Sequence, residues 1–127
     1  GFVMGGWLQG TPVAVKAQRS AAVGAEGVEA LVAMANEVRI FRHVRHPNIV
    51  LFYGACVEPD NGEMLLVIER IRGPSLYDYV IGHSADAEAH GRLRLLLDVA
   101  CALRYLHGRR PSIVHGDLKG ANVLVEA

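Results

Sequence analysis

The chain has 127 residues, 51% of them hydrophobic and 20% charged, a balance that excludes disordered and fibrous classes and suits one small domain with a core. Thirteen basic side chains offset thirteen acidic ones, which argues against nucleic acid or an anionic membrane surface as the main partner. Cys56 and Cys101 lie far apart among small or apolar neighbours. They build neither a disulfide framework nor a zinc site, and read as buried thiols in a reducing, intracellular, cytoplasmic setting. No apolar run approaches the ~18 residues of a membrane span. There is no signal peptide, and the chain opens on Gly1 rather than methionine, as a fragment or processed product would.

In chain order, the β-branched run Pro12 to Lys16 predicts a strand ending on a lysine. The Gly/Ala-rich stretch of residues 20–27 reads as a loop. Val28, Leu31, Met34, Val38, Phe41 and Val44 then recur at three- and four-residue steps, the stripe of a helix that the sequence RHPN closes. Two apolar runs, residues 48–57 and 63–71, are bounded by EPDNGE and predict an antiparallel pair. Ser75 is an N-cap candidate for a short helix over 75–82, and residues 83–90 read as linker or helix entry. Residues 92–107 predict the strongest helix, with Leu96, Val99, Ala100, Leu103 and Leu106 facing one way and Gly108 ending it. The segment IVHGDLKGANVLV, residues 113–125, reads as two short strands around a polar loop. Strands gather at the front and helices behind, so the class is α+β.

That last loop carries the chemistry. Phosphoryl transfer needs a carboxylate near the attacking hydroxyl, an oxygen ligand for a hard cation, and a positive charge beside the moving phosphate. Asp117, Asn122 and Lys119 are residues of those three types within six positions. Taken singly, each has an ordinary reading: Asp and Asn favour turns, a strand-end lysine is usually solvated, and a helical glutamate is usually a surface charge. Residues 5–11, GGWLQGT, place Thr11 where a phosphate-binding P-loop needs lysine. The histidines show no paired helical spacing with a supporting carboxylate, which argues against a metal site, and His115 reads as a packed core residue.

HGDLKGAN resembles the protein-kinase catalytic loop H-R-D-L-x-x-x-N. VAVK (residues 13–16) resembles the kinase strand motif V-A-I-K, and NEVRIFRHVRHPNIV holds Glu37 where the family's C helix carries its glutamate. LLVIERI resembles the strand entering the hinge, and GPSLYDYV the helix after it. Five segments in family order span all 127 residues, about half of a kinase domain, and look most like the tyrosine-kinase-like group with Ser/Thr specificity.

The resemblance implies a protein-kinase-like fold: an antiparallel β N-lobe with its C helix over residues 1–68, a hinge at 69–73, and the start of a mainly helical C-lobe over 74–127. It implies ATP and Mg²⁺ as cofactors and a Ser/Thr protein substrate. Lys16 would bind the α/β-phosphates and pair with Glu37. Asp117 would orient or deprotonate the hydroxyl, Lys119 would support the γ-phosphate, and Asn122 would hold Mg²⁺. Adenine would lie between Val3 and Ala14 on one side and Leu124 on the other, with Ile68 as gatekeeper and backbone groups of Glu69 and Ile71 at its edge. Phe41, Phe52 and His115 match three members of the regulatory spine.

Departures are also visible. The first two glycines of the Gly-rich loop are absent, although Gly1 and Val3 fit its end. Gly116 replaces the arginine of H-R-D, which puts control by activation-loop phosphorylation in doubt. D-F-G, the activation segment and A-P-E do not occur in these residues, so this segment alone is expected to turn over ATP poorly and to leave the stripe of residues 92–107 exposed. A pseudokinase, or a truncated module for nucleotide binding and protein interaction, is the alternative reading.

Overall fold

A computed structural model describes residues 3–18, 25–58, 60, 63–82 and 89–126. The chain divides into two compact units, Gly1–Arg45 with Val50–Arg70, and His46–Ile49 with Ile71–Ala127.

The first unit is built on a four-stranded antiparallel sheet of β1 (Val3–Leu8), β2 (Thr11–Gln18), β3 (Phe52–Val57) and β4 (Met64–Glu69), in the order β1-β2-β4-β3. Pattern reading starts the sheet at Pro12 and misses β1, because its two glycines depress the strand signal. What closes the β1–β2 hairpin is the two-residue turn Gln9–Gly10, with φ of 48° and 83°, the left-handed backbone that matches strand twist. The predicted β3–β4 pair forms, and Glu58 N–H donates to Glu63 C=O at 2.7 Å where the pair begins.

Register assigns the faces. Opposed residues in antiparallel strands share a face, and alternate residues switch. Val3, Lys16 and Leu66 therefore lie on one face with Gly5, Ala14, Ile68 and Phe52. Helix α1 (Ala25–Phe41) packs against this face, with the Phe41 and Phe52 ring centroids 6.1 Å apart. Helix α1 starts inside the expected loop, and the rest of that loop, residues 20–24, lies outside the described residues. Of its predicted stripe, the Leu31 side chain lies outside the described residues and Val38 is half-buried. Met34 and Val44 are buried, whereas Val28 and Phe41 are exposed. The helix ends at Phe41, before Val44, because the next amides shift to shorter bonds, His43 to Ile40 and Val44 to Phe41.

The second unit holds α2 (Leu76–Gly82), α3 (Ala89–His107) and a short 3-10 turn, Gly120–Asn122. Ser75 caps α2 as expected: its Oγ accepts from Asp78 N–H at 3.1 Å and donates to the Asp78 carboxylate at 2.6 Å. Residues 83–88 of the expected linker lie outside the described residues. The His46 ring lies 5.1 Å from Tyr105 on α3, and Arg109 stands 5.6 Å from the same ring.

Two expectations fail here. The seam of α3 splits: Leu106 is buried and Val99 and Leu103 half-buried, but Leu96 is 59% exposed and Ala100 is exposed too. The sequence is apolar on more than one side, with Leu93, Leu96 and Leu97 forming a second, outward stripe. Cys56 and Cys101 are exposed, not buried. Cys56 sits on edge strand β3, and Cys101 is on the outward side of α3 with Leu97.

Each outward leucine forgoes roughly half of the ~2 kcal/mol that burying it contributes. Replacing Leu93 and Leu97 together by glutamate in the 127-residue chain is therefore expected to reduce self-association, read by light scattering, with helical circular dichroism unchanged. Unchanged association would mean that another surface drives it.

Candidate functional site

The loop of residues 113–125 is tied down at both ends. Ile113 N–H donates to Leu106 C=O at 3.0 Å, joining the loop to the end of α3. Downstream, Leu76 N–H donates to Val123 C=O at 2.7 Å and Val125 N–H to Pro74 C=O at 2.9 Å, around an isolated bridge between Ser75 and Leu124. The two flanking strands expected from the sequence are absent as strands. Ile113 and Val114 have no partner strand, and the Val123–Val125 side makes only that bridge. Gly120 lies against Tyr77 so closely that a Cβ there would meet the Tyr77 backbone N at 3.3 Å.

Between these anchors the three predicted side chains converge. Asn122 Nδ2 donates to the Asp117 carbonyl at 2.9 Å and to its carboxylate Oδ2 at 3.1 Å. Lys119 Nζ stands 3.5 Å from Oδ1 of the same carboxylate. With its amide nitrogen engaged twice, Asn122 is left with Oδ1 as a free acceptor of the kind Mg²⁺ takes. The Lys119–Asp117 pair is open to solvent, with side-chain exposures of 58% and 71%, and is worth little on its own. Lys119 can therefore leave Asp117 for a phosphate at small cost. Among the described residues no group of three or more His, Cys, Asp or Glu side chains could hold a metal. One amide oxygen fits Mg²⁺ that arrives already bound to phosphates.

Two neighbours shape the loop. His115 is exposed rather than packed in a core, and its Nδ1 accepts the Asp117 N–H at 3.2 Å. Gly116 has φ 79°, the left-handed region that costs an L-residue roughly 1–2 kcal/mol. The glycine in the arginine position therefore suits its backbone.

The other predicted residues fall in the first unit, apart from Ile71 and Leu124. Val3, Ala14, Lys16 and Ile68 share the sheet face on which α1 packs. Lys16 is exposed, as is Glu37, and no ion pair joins them. Glu37 lies on α1 three residues after Met34 and four before Phe41, and its side chain is exposed. Glu69 acts through groups the sequence did not reveal: its N–H donates to Leu51 C=O at 2.8 Å, and its carboxylate Oε2 accepts Leu51 N–H at 3.0 Å. Ile71 is half-buried, with no backbone hydrogen bond among the described residues, and Leu124 is 47% exposed beside the Ser75 bridge. Arg70 escaped sequence reasoning, although a glycine inside a strand (Gly5) is a signal of close approach.

A lysine on the inner face of an antiparallel sheet, followed by a helical unit with an anchored Asp–Lys–Asn loop, defines the class of phosphate-handling kinase domains. The chain matches the family described as "Protein tyrosine and serine/threonine kinase" over residues 1–127, and it belongs to that family. It is 41% identical over 126 residues, 99% of its length, to the probable serine/threonine-protein kinase SIS8 of Arabidopsis thaliana. It is 40% identical over 92% of its length to the serine/threonine-protein kinase CTR1 of the same plant. To the dual specificity protein kinase splA of Dictyostelium discoideum it is 40% identical over 76% of its length. The chain spans only 12%, 14% and 4% of these three relatives. Among the described residues no helix is long and apolar enough to cross a membrane.

Gly116→Ala should lower the thermal midpoint by several degrees, in line with a strain of about 1 kcal/mol. An unchanged midpoint in a thermal scan would mean that the loop relaxes to another backbone at no cost.

Proposed function

We propose that the chain supplies the nucleotide-facing sheet and the catalytic loop of a serine/threonine protein kinase of the tyrosine-kinase-like group, acting in the cytoplasm. The single observation that carries this reading is the convergence of Asn122 and Lys119 on the Asp117 carboxylate within a loop anchored at both ends. Residues 1–68 act as the N-lobe, 69–73 as the hinge and 74–127 as the opening of the C-lobe.

The roles follow from the donor chemistry. Asp117 orients a Ser or Thr hydroxyl and accepts its proton as the oxygen bonds to the γ-phosphorus of ATP. The bond from that phosphorus to the β-phosphate oxygen breaks, and ADP leaves. Lys119 moves from Asp117 to the transferring phosphate, where its charge offsets the charge that develops. Mg²⁺ on the phosphates neutralises charge when bound, and Asn122 Oδ1 is the oxygen that would hold it. Lys16 binds the α/β-phosphates, Val3 and Ala14 offer an apolar surface to adenine with Ile68 as gatekeeper, backbone groups of Glu69 and Ile71 meet its edge, and Leu124 is the apolar residue that the C-lobe contributes.

The unpaired Lys16 and Glu37 favour a second reading, a module that holds nucleotide and works through protein contacts. Both readings are tested in the full-length protein. Asp117→Ala is expected to cut phosphate transfer by about 10²–10⁴-fold while ADP binding persists, and phosphoamino-acid analysis should return phosphoserine or phosphothreonine. Full activity in Asp117→Ala would overturn the assignment of Asp117. Nucleotide binding with no transfer by the unmodified protein would establish the second reading.

A further inference from the structure

Arg70 follows directly on β4, and strand alternation sends its side chain to the face of Ile68, the face that also bears Val3, Ala14 and Lys16. Its guanidinium ends two strands away, on β1. A Cβ built at Gly5 would stand 3.3 Å from Arg70 Nη1, 3.5 Å from Cζ and 3.9 Å from Nη2. Three guanidinium atoms within van der Waals reach of one point mean that the group lies against the bare Gly5 backbone. Gly5 is opposite Ala14, and Ala14 is opposite Ile68. The line from Arg70 to Gly5 passes over β2, whose small residue on that face is Ala14. Larger side chains at positions 5 and 14 would block the path.

We propose that Arg70 straps the nucleobase-facing surface of the sheet, and that it must swing away before a base can seat on Ala14. This rests on the reading of that face as the nucleotide site. The strap is built to yield. Among the described residues Arg70 makes no hydrogen bond or ion pair, and its side chain is exposed, so packing alone holds it. A side chain that blocks the competent state for part of the time weakens apparent affinity by the competent fraction. Arg70 thus sets nucleotide affinity without contacting a phosphate.

The test is ADP binding by titration calorimetry on the full-length protein, comparing wild type, Arg70→Ala, Arg70→Lys and Lys16→Met. Arg70→Ala should bind ADP about three- to tenfold more tightly than wild type, with Arg70→Lys in between and thermal midpoints unchanged. An unchanged or weaker affinity in Arg70→Ala, alongside binding by wild type and its loss in Lys16→Met, would overturn the strap and leave the nucleotide site standing. Absence of ADP binding by wild type would overturn both.

Discussion

The pair of backbone hydrogen bonds between residues 74–76 and 123–125 is the constraint on which the candidate site depends. It ties the far end of the Asp–Lys–Asn loop to the first residues of α2, a helix that Ser75 caps at that same point. Neither flank of the loop forms a regular strand, so rigidity comes from four local devices. These are the two backbone bonds, the Ile113–Leu106 bond, the close seat of Gly120 on Tyr77 and the double donation from Asn122 to Asp117. Each is worth on the order of 1 kcal/mol or less. Together they fix an exposed carboxylate that has no buried environment to hold it.

Much of this was legible in the sequence because it is local. The Ser75 cap and the ordering of Asp117, Lys119 and Asn122 are written within windows of ten residues or so, and the β3–β4 pair within residues 52–69. The Asn122–Asp117 bonds follow almost directly from a tight turn between the two residues. What stayed hidden depends on partners distant in sequence. Strand β1 is masked by its glycines and declared by the turn at Gln9–Gly10. Glu69 turns its carboxylate to Leu51, and Arg70 reaches Gly5. The exposure of Cys56 and Cys101 stays hidden too, because small apolar neighbours in sequence do not fix which face of a strand or helix a residue occupies.

The glycines of β1 have opposite consequences on the two sides of the sheet. Gly5 faces the Lys16 side and leaves room for a guanidinium, whereas a Cβ at Gly6 would meet the Val15 and Val13 side chains at 3.4 and 3.7 Å on the other side. A strand weakened in propensity by these residues is kept by pairing: β1 matches β2 through six consecutive positions without a register shift. The same absence of side chains that hid β1 from pattern reading gives each face its close contacts.

Lys16 and Glu37 are both exposed and form no ion pair, so apolar contact rather than charge holds α1 on the sheet. Among its described side chains, Met34 is buried at mid-helix and Phe41 lies against Phe52, while Val28 and Val32 are more than half exposed. An exposed ion pair contributes too little to set where a helix sits. The pair therefore reports where α1 sits rather than determining it. Residue order alone thus suggests a charge pair that the apolar contacts of α1 do not require.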